Sequence, residues 1–278
     1  MYDYKNPCID NFMDDRTMVY AAHHALMETN AKNNASNMVA FFDAEEETNS
    51  ALGGADTPFF RNVLTKIVKS MNGNEDDMIK MLHNSFTVSL NVSFATHPNY
   101  RECEDPTCSP VINKGITIKY DVNMHYATTA LSSAVFQDLC KQAGIPFQKE
   151  TSHSDFRTGR TISAFLQTQT EMRWVKVGIP CWAMHSSRES CGTKDFYNLI
   201  RFLVAFWKHP TKNTVNYPYH KQDISSLILK EMNFKLTNLA AINEKYGRTM
   251  EQLKDTTWEV CTNSCGCSGD CGSNWMRS

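Results

Sequence analysis

Four acidic residues follow directly on a short apolar stretch near the start of the chain. Residues 38–42 read Met-Val-Ala-Phe-Phe, and Asp43, Glu45, Glu46 and Glu47 come immediately after them. A short bounded run of β-branched and aromatic residues predicts a buried strand, and open α/β sheets place their ligands at the carboxyl ends of strands. We therefore interpret Glu45 as a candidate base and Glu46 as a candidate metal ligand. The alternative interpretation is a solvated acidic turn.

Other polar residues that are suited to metal binding or charge pairing also follow apolar segments. They are Asp10, Asn91, Lys119 and His185. Because the carboxyl ends of parallel strands meet at one edge of a sheet, we expect these side chains to converge with the two glutamates in one crevice. Each residue taken singly has an ordinary explanation, since an aspartate such as Asp10 commonly caps a helix.

Strand-like and helix-like segments alternate along the chain. Apolar or β-branched runs predict strands at residues 39–42, 85–94, 116–120 and 174–179. Helical spacing of apolar residues predicts helices at residues 16–28, 59–70, 128–143, 161–169 and 195–207. This alternation predicts an α/β fold with a mixed, largely parallel sheet flanked by helices.

Composition limits the classes of partner. The 278 residues carry a formal net charge of −2, which gives no electrostatic basis for binding nucleic acid or an anionic membrane. No apolar run approaches the length of a membrane span, and residues 1–11 lack the apolar core of a signal peptide, so we expect a cytoplasmic protein. Six of the ten cysteines are scattered, which indicates reduced thiols.

The sequence changes character after residue 208, and we predict three segments: a catalytic-type domain at 1–208, a linker and helical extension at 209–260, and a cysteine-rich tail at 261–278. Within the extension, the pattern predicts helices at 223–246 and 249–260. The tail contains Cys261, Cys265, Cys267 and Cys271. Four thiolates can close a tetrahedral zinc site; a low-complexity terminus or a frame-shifted gene product is the alternative.

A series of short blocks resembles the aspartyl aminopeptidases, a family of zinc metallopeptidases, in sequence and in order along residues 4–208. The blocks include Ile9-Asp10-Asn11, Phe42-Asp43-Ala44-Glu45-Glu46, His97-Pro98-Asn99-Tyr100, Lys114-Gly115 with Ile118-Lys119, Tyr126-Ala127-Thr128 and Ala183-Met184-His185-Ser186. The resemblance implies a zinc-aminopeptidase-like catalytic domain that removes N-terminal aspartate or glutamate from peptides. It also implies that the family's smaller oligomerisation domain lies outside this sequence.

The resemblance further implies roles for individual residues. Glu45 matches the general base, and the metal ligands fall on Asp10, Glu46 and His185. The positions that bind substrate fall on Lys119, Tyr126 and His97, with Lys119 facing the acidic side chain of the peptide.

Three departures from the family pattern affect the metal site. Asn91 replaces a metal-binding aspartate, Phe94 replaces an active-site histidine, and Lys176 stands where an aspartate is expected. A neutral amide is a weak zinc ligand, so we predict at most one zinc ion. Two hypotheses follow: an aminopeptidase with reduced activity, or a non-catalytic relative that binds peptides or joins homo- or hetero-oligomers with active paralogues.

Overall fold

A computed structural model describes residues 7–10, 12–29, 36–153, 155, 158–209 and 257–262, with the backbone alone described at 7–10, 103 and 257–262. The helices are α1 (Met13–Glu28), α2 (Phe59–Ser70), α3 (Glu75–Asn84), α4 (Ala130–Gln142), α5 (Ile162–Thr170) and α6 (Thr193–Lys208). The strands are β1 (Pro7–Asp10), β2 (Asn37–Phe42), β3 (Phe86–Leu90), β4 (Ser93–Phe94), β5 (Ile116–Tyr120), β6 (Phe147–Thr151), β7 (Arg173–Gly178), β8 (Pro180–Trp182), β9 (Glu189–Gly192) and β10 (Thr257–Thr262).

The strands form one large sheet and one small sheet. The large sheet has the order β2-β10-β3-β7-β5-β6, and every neighbouring pair is parallel except β5 with β7. The small sheet has the order β1-β9-β8-β4 and is antiparallel except for the pair β4 with β8. The predicted α/β class with a largely parallel sheet is confirmed.

Helices cover both faces of the large sheet and form two separate apolar cores. Side chains of α1, α4 and α6 pack on one face with Val88, Ile118 and Val175, all fully buried. Side chains of α2, α3 and α5 pack on the other face around Trp174 and Phe42. Because successive side chains of a strand point to opposite faces, Trp174 and Val175 contribute to different cores.

The structure differs from the predicted elements at several places, and strands β1, β8 and β9 are among the elements that were not predicted. The single strand predicted at 85–94 is two strands, β3 and β4, which belong to different sheets. The helix predicted at 249–260 is contradicted over residues 257–260, because residues 257–262 form β10 between β2 and β3; residues 249–256 lie outside the described part of the chain. Trp258 and Val260 have strong strand propensity, and pairing on both sides outweighs a weak helical pattern. Strand β6 was not predicted, because its sequence Phe-Gln-Lys-Glu-Thr is mostly polar.

The chain enters α1 through an irregular turn that matters for the site. Asp14 and Asp15 have non-helical backbone angles within the first turn, and the peptide bond between them is cis. Both side chains are buried. The helix predicted at 223–246 lies outside the described residues, and none of the described helices is long and apolar enough to span a membrane.

Candidate metal centre

Three polar side chains converge at the carboxyl edge of the large sheet. Asp14 comes from the irregular start of α1, Glu46 from the turn after β2, and His185 from the loop between β8 and β9. One ligand atom from each of them lies within 4.8 Å of the other two. Among the described residues, this is the one group of three or more histidine, cysteine or acidic side chains with such geometry.

The distances within this group fit one metal ion. His185 Nε2 lies 3.1 Å from Asp14 Oδ2 and 3.1 Å from Glu46 Oε2. Ligand atoms at bonds of about 2.0 Å around a tetrahedral zinc are about 3.3 Å apart. Carboxylate oxygens and imidazole nitrogens both bind zinc, and three protein ligands leave a fourth position open, as in catalytic zinc sites. The residues present therefore fit a zinc ion.

The electrostatics of the group likewise favour a cation between the carboxylates. Hydrogen bonds to Asp14 and then to Glu46 raise the pKa of His185 to about 12. Burial acts to raise the pKa of Glu46, but hydrogen bonding and charge attraction to His185, together with hydrogen bonds to Glu45 and Asp14, outweigh it and hold that pKa below its usual value. Burial raises the pKa of Asp14 to about 6 despite the same histidine. A positive charge placed between these oxygens thus replaces the stabilisation that protonated His185 provides.

Glu189 holds two of the three candidate ligands by their backbones. Its Oε2 accepts a hydrogen bond from the Asp14 N–H at 3.0 Å, and its Oε1 accepts one from the His185 N–H at 2.6 Å. Glu189 is 1% exposed, so both bonds are sheltered from water. His185 has a φ of 64°, a conformation that L residues adopt at a cost. The bond from Glu189 helps to offset that cost and fixes where the imidazole emerges.

Glu45 adjoins this group on the turn after β2. It is 9% exposed. Burial, and next the charge of Glu46, raises the pKa of Glu45 to about 8. Lys176 opposes this rise, which places its ammonium within electrostatic reach of Glu45. A carboxylate with a pKa near neutrality is suited to accept and return a proton.

Asn91 contacts the side of Asp14 that faces away from the imidazole. Its Nδ2 donates to Asp14 Oδ1 at 3.1 Å, while Asp14 Oδ2 faces His185. The two oxygens of Asp14 thus have different partners. The residue that the sequence reasoning treated as a degenerate ligand serves here as a hydrogen-bond donor to a ligand.

Lys119 is buried among a backbone carbonyl, a carboxylate and an aromatic ring. Its Nζ donates to the Val92 carbonyl at 2.9 Å, lies 3.9 Å from Glu150 Oε1 and sits 4.7 Å from the centre of the Tyr126 ring. Lys119 and Glu150 are opposite each other in the register of β5 and β6. The side chains of both are no more than 2% exposed. The substrate position predicted for Lys119 therefore carries its own buried counter-charge.

The other predicted site residues are placed as follows. His97 packs its ring against Tyr100 at 4.9 Å between centres, and its Nδ1 accepts the Asn99 N–H. The backbone of Asp10 pairs with Glu189 in the small sheet, and its side chain is not described. Of the four tail cysteines, Cys261 has its backbone in β10 and the other three lie outside the described residues.

The sequence profile described as aminopeptidase I zinc metalloprotease (M18) matches residues 9–207 of the chain. The chain belongs to the M18 aminopeptidase family. A probable M18 family aminopeptidase 2 from Clostridium acetobutylicum is 39% identical over 217 residues, which is 74% of this chain and 50% of that protein. The aspartyl aminopeptidase of Dictyostelium discoideum is 34% identical over 181 residues, 63% of this chain and 37% of that protein.

A solved structure of an M18 relative, the yeast mApe1 dodecamer, superposes with a TM-score of 0.66 and 27% identity. The match covers 77% of this chain and 48% of that one. The chain thus spans about half the length of the curated M18 relative with which its identity is 39%. Membership of the family confirms the resemblance inferred from the sequence and supports zinc as the metal of the group.

Asp14 is the site residue that the sequence reasoning did not select. Asp10 and Asp14 each follow an apolar residue, Ile9 and Met13, so the local pattern fits either. One signal in the sequence could have identified Asp14, namely its position at the entry to α1. An aspartate at the start of a helix, at the carboxyl edge of a sheet, is well placed to bind a metal ion. Asp14 is therefore added to the candidate ligands, whereas Asp10, whose side chain is not described, stays a predicted ligand.

The two backbone bonds of Glu189 lead to a testable expectation. Replacing Glu189 with Gln exchanges one acceptor oxygen for an N–H donor, so one of the two ligand backbones loses its partner. Loss of a group that orients metal ligands typically weakens metal binding by about 10- to 100-fold. We expect a zinc dissociation constant raised by that factor, measured by competition with a chromogenic chelator. Glu102→Gln, at an exposed position, is the control; equal affinities in both variants would exclude the role.

Proposed function

We propose that this chain is a metallo-aminopeptidase domain that binds one zinc ion through Asp14, Glu46 and His185 and uses Glu45 as its general base. The observation that carries the proposal is the convergence of three ligand atoms within 4.8 Å, with a buried carboxylate on the adjoining residue. Membership of the M18 family supports the same reaction, the hydrolysis of an N-terminal peptide bond.

Each residue has a defined task in this reaction. A zinc ion bound at the three ligands would polarise the scissile carbonyl and lower the pKa of the attacking water. Glu45 accepts the proton of that water and returns it to the leaving amine as the bond breaks. Glu189 and Asn91 hold Asp14 in place through the hydrogen bonds described above. Asn91 keeps one oxygen of Asp14 engaged, and this leaves Oδ2 for the ion.

The decisive experiment separates zinc binding from catalysis. We expect zinc content to fall in Glu46→Ala and to stay at the wild-type level in Glu45→Gln, because only Glu46 belongs to the ligand group. Glu45→Gln should lower kcat by about 100- to 10,000-fold, the usual effect of removing a general base. Zinc is measured by elemental analysis, and activity by release of the N-terminal residue from a short peptide.

Glu47→Gln is the matched control for this experiment, because Glu47 follows in the same turn and is exposed. Its zinc content and kcat should equal those of the wild type. Wild-type zinc equal to that of Glu46→Ala would refute the metal site. Zinc that depends on Glu46 without any peptide hydrolysis would favour the second candidate function, a non-catalytic relative.

That second candidate is favoured by specific residues. Asn91 and Phe94 stand where the family pattern has an aspartate and a histidine, and the match covers half of the C. acetobutylicum relative. In this function the domain binds peptides or joins oligomers with active paralogues. The yeast relative is described as a dodecamer, and light scattering of the purified chain, with and without a paralogue, tests assembly; a monomer in both would count against it.

For substrate class we propose acidic N-terminal residues, with a selectivity that Glu150 reduces. Lys119 is the cation that the resemblance assigns to the substrate carboxylate, and a curated relative is named an aspartyl aminopeptidase. The carboxylate of Glu150, 3.9 Å from the ammonium, however, offsets part of the charge of Lys119, although burial raises the pKa of Glu150. A buried pair of opposite charges attracts a further carboxylate far less than an isolated ammonium does.

Removal of the counter-charge should therefore sharpen selectivity. We expect Glu150→Gln to raise the ratio of kcat/KM for peptides that begin with Asp over those that begin with Leu by on the order of tenfold, the effect of about 1.4 kcal/mol. Adding Lys119→Met in the Glu150→Gln background should abolish the gain, because the two charges interact directly. A gain that survives the second substitution would show that Lys119 does not face the substrate.

The cysteines of the tail remain a separate proposal of a second zinc site, made by Cys261, Cys265, Cys267 and Cys271. Four thiolates in eleven residues can enclose one ion. Joint replacement of Cys265 and Cys267 by Ser should remove zinc that Glu46→Ala retains. An unchanged zinc content in that double variant would exclude the site.

A further inference from the structure

Lys176 is a buried cation beside the candidate metal centre to which no role has been assigned. It lies on β7, is 0% exposed and stands opposite Ser89 in the register with β3. Its Nζ lies 3.3 Å from Ser89 Oγ and 3.4 Å from the Leu90 carbonyl oxygen. Both partners are neutral acceptors. The ammonium therefore needs compensating negative charge from elsewhere in this low-dielectric region.

That charge comes from the acids of the site. Burial and the like charge of Lys119 lower the pKa of Lys176 to about 8, and Glu45, Asp15 and Asp14 counteract them by favouring the charged form. In return, Lys176 favours the ionised form of Glu45. Leu90, whose carbonyl oxygen the ammonium approaches, directly precedes Asn91, whose amide contacts Asp14 Oδ1. The ammonium thus lies against the backbone of the residue that precedes Asn91.

We propose that Lys176 supplies the second positive charge of this site, so that one metal ion and one ammonium stand where a two-metal centre would hold two ions. This inference rests on the proposed function, since it presupposes an ion at Asp14, Glu46 and His185. Asn91 gives the Oδ1 side of Asp14 a neutral donor, and Lys176 adds a fixed charge next to it. A second dication on this side would find the amide of Asn91 where a two-metal site has a carboxylate. It would also be repelled by the ammonium of Lys176, which is buried and cannot move into water.

The proposal predicts a particular dependence of metal number on two residues. Asn91→Asp restores a carboxylate, but it should bind no additional zinc while Lys176 is present. Lys176→Met should likewise bind no additional zinc, because the amide of Asn91 is a poor ligand. The combination of Asn91→Asp with Lys176→Met should bind about one zinc ion more per chain than the wild type, as expected for a two-metal site.

A matched variant separates the effect of the positive charge at position 176 from the effect of the side-chain volume there. Asn91→Asp combined with Lys176→Arg keeps the positive charge on a long side chain, so it should stay at the wild-type zinc content. Zinc per chain is measured by elemental analysis after dialysis against a fixed excess of zinc. The zinc content of Glu46→Ala is subtracted to remove ions bound elsewhere, including at the tail cysteines. Circular dichroism shows whether each variant is folded, and the comparison uses those that are.

The outcomes distinguish this inference from the proposed function. Wild-type zinc no higher than that of Glu46→Ala overturns both. A second ion in Asn91→Asp with Lys176 intact overturns the role of Lys176 alone, and so does an equal zinc content in the Met and Arg combinations. A gain confined to the Asn91→Asp and Lys176→Met combination establishes the lysine as the charge that excludes the second ion.

Discussion

Burial of carboxylates at one edge of the sheet is the constraint on which the site depends. Asp14, Asp15, Glu45 and Glu189 are each no more than 9% exposed. An uncompensated charge in such surroundings costs several kcal/mol, so positive charge or directed N–H donors must accompany each group. His185 lies between two of the ligand carboxylates, and the backbone N–H groups of Asp14 and His185 compensate Glu189. The convergence that permits metal binding is thus also an electrostatic requirement of folding.

Strand register decides which charges meet. Ser89 stands opposite Lys176 across β3 and β7, and Lys119 stands opposite Glu150 across β5 and β6. A shift of one residue in either pair of strands would turn these side chains to the opposite face. The apolar residues that alternate with them, such as Val175 and Ile118, fix the register because they fill the core. Packing of one face therefore sets the electrostatics of the other.

The sequence permits prediction of those parts of the site that depend on local order. Glu45 and Glu46 follow β2 of the large sheet and His185 follows β8 of the small sheet, so each of them comes shortly after an apolar segment that forms a strand. Asp14 was missed because Asp10 satisfies the same local pattern four residues earlier. The partnership of Lys119 with Glu150 was also missed, since it depends on the register of β6, a strand too polar to be recognised. Strand β10 was predicted as helix for a similar reason, because its pairing partners are more than one hundred residues away in the chain.

An ammonium and a metal ion are unequal replacements for one another. Both neutralise carboxylates, but a lysine carries a single charge and has no empty orbital with which to accept an oxygen lone pair. Lys176 can therefore favour the ionised form of Glu45 and offset the charge of the buried acids without activating water or carbonyl itself. The stability of the acidic cluster and the catalytic activity of the site therefore depend on different groups. One metal ion and the ammonium of Lys176 compensate the buried acids, whereas hydrolysis depends on the three metal ligands and Glu45.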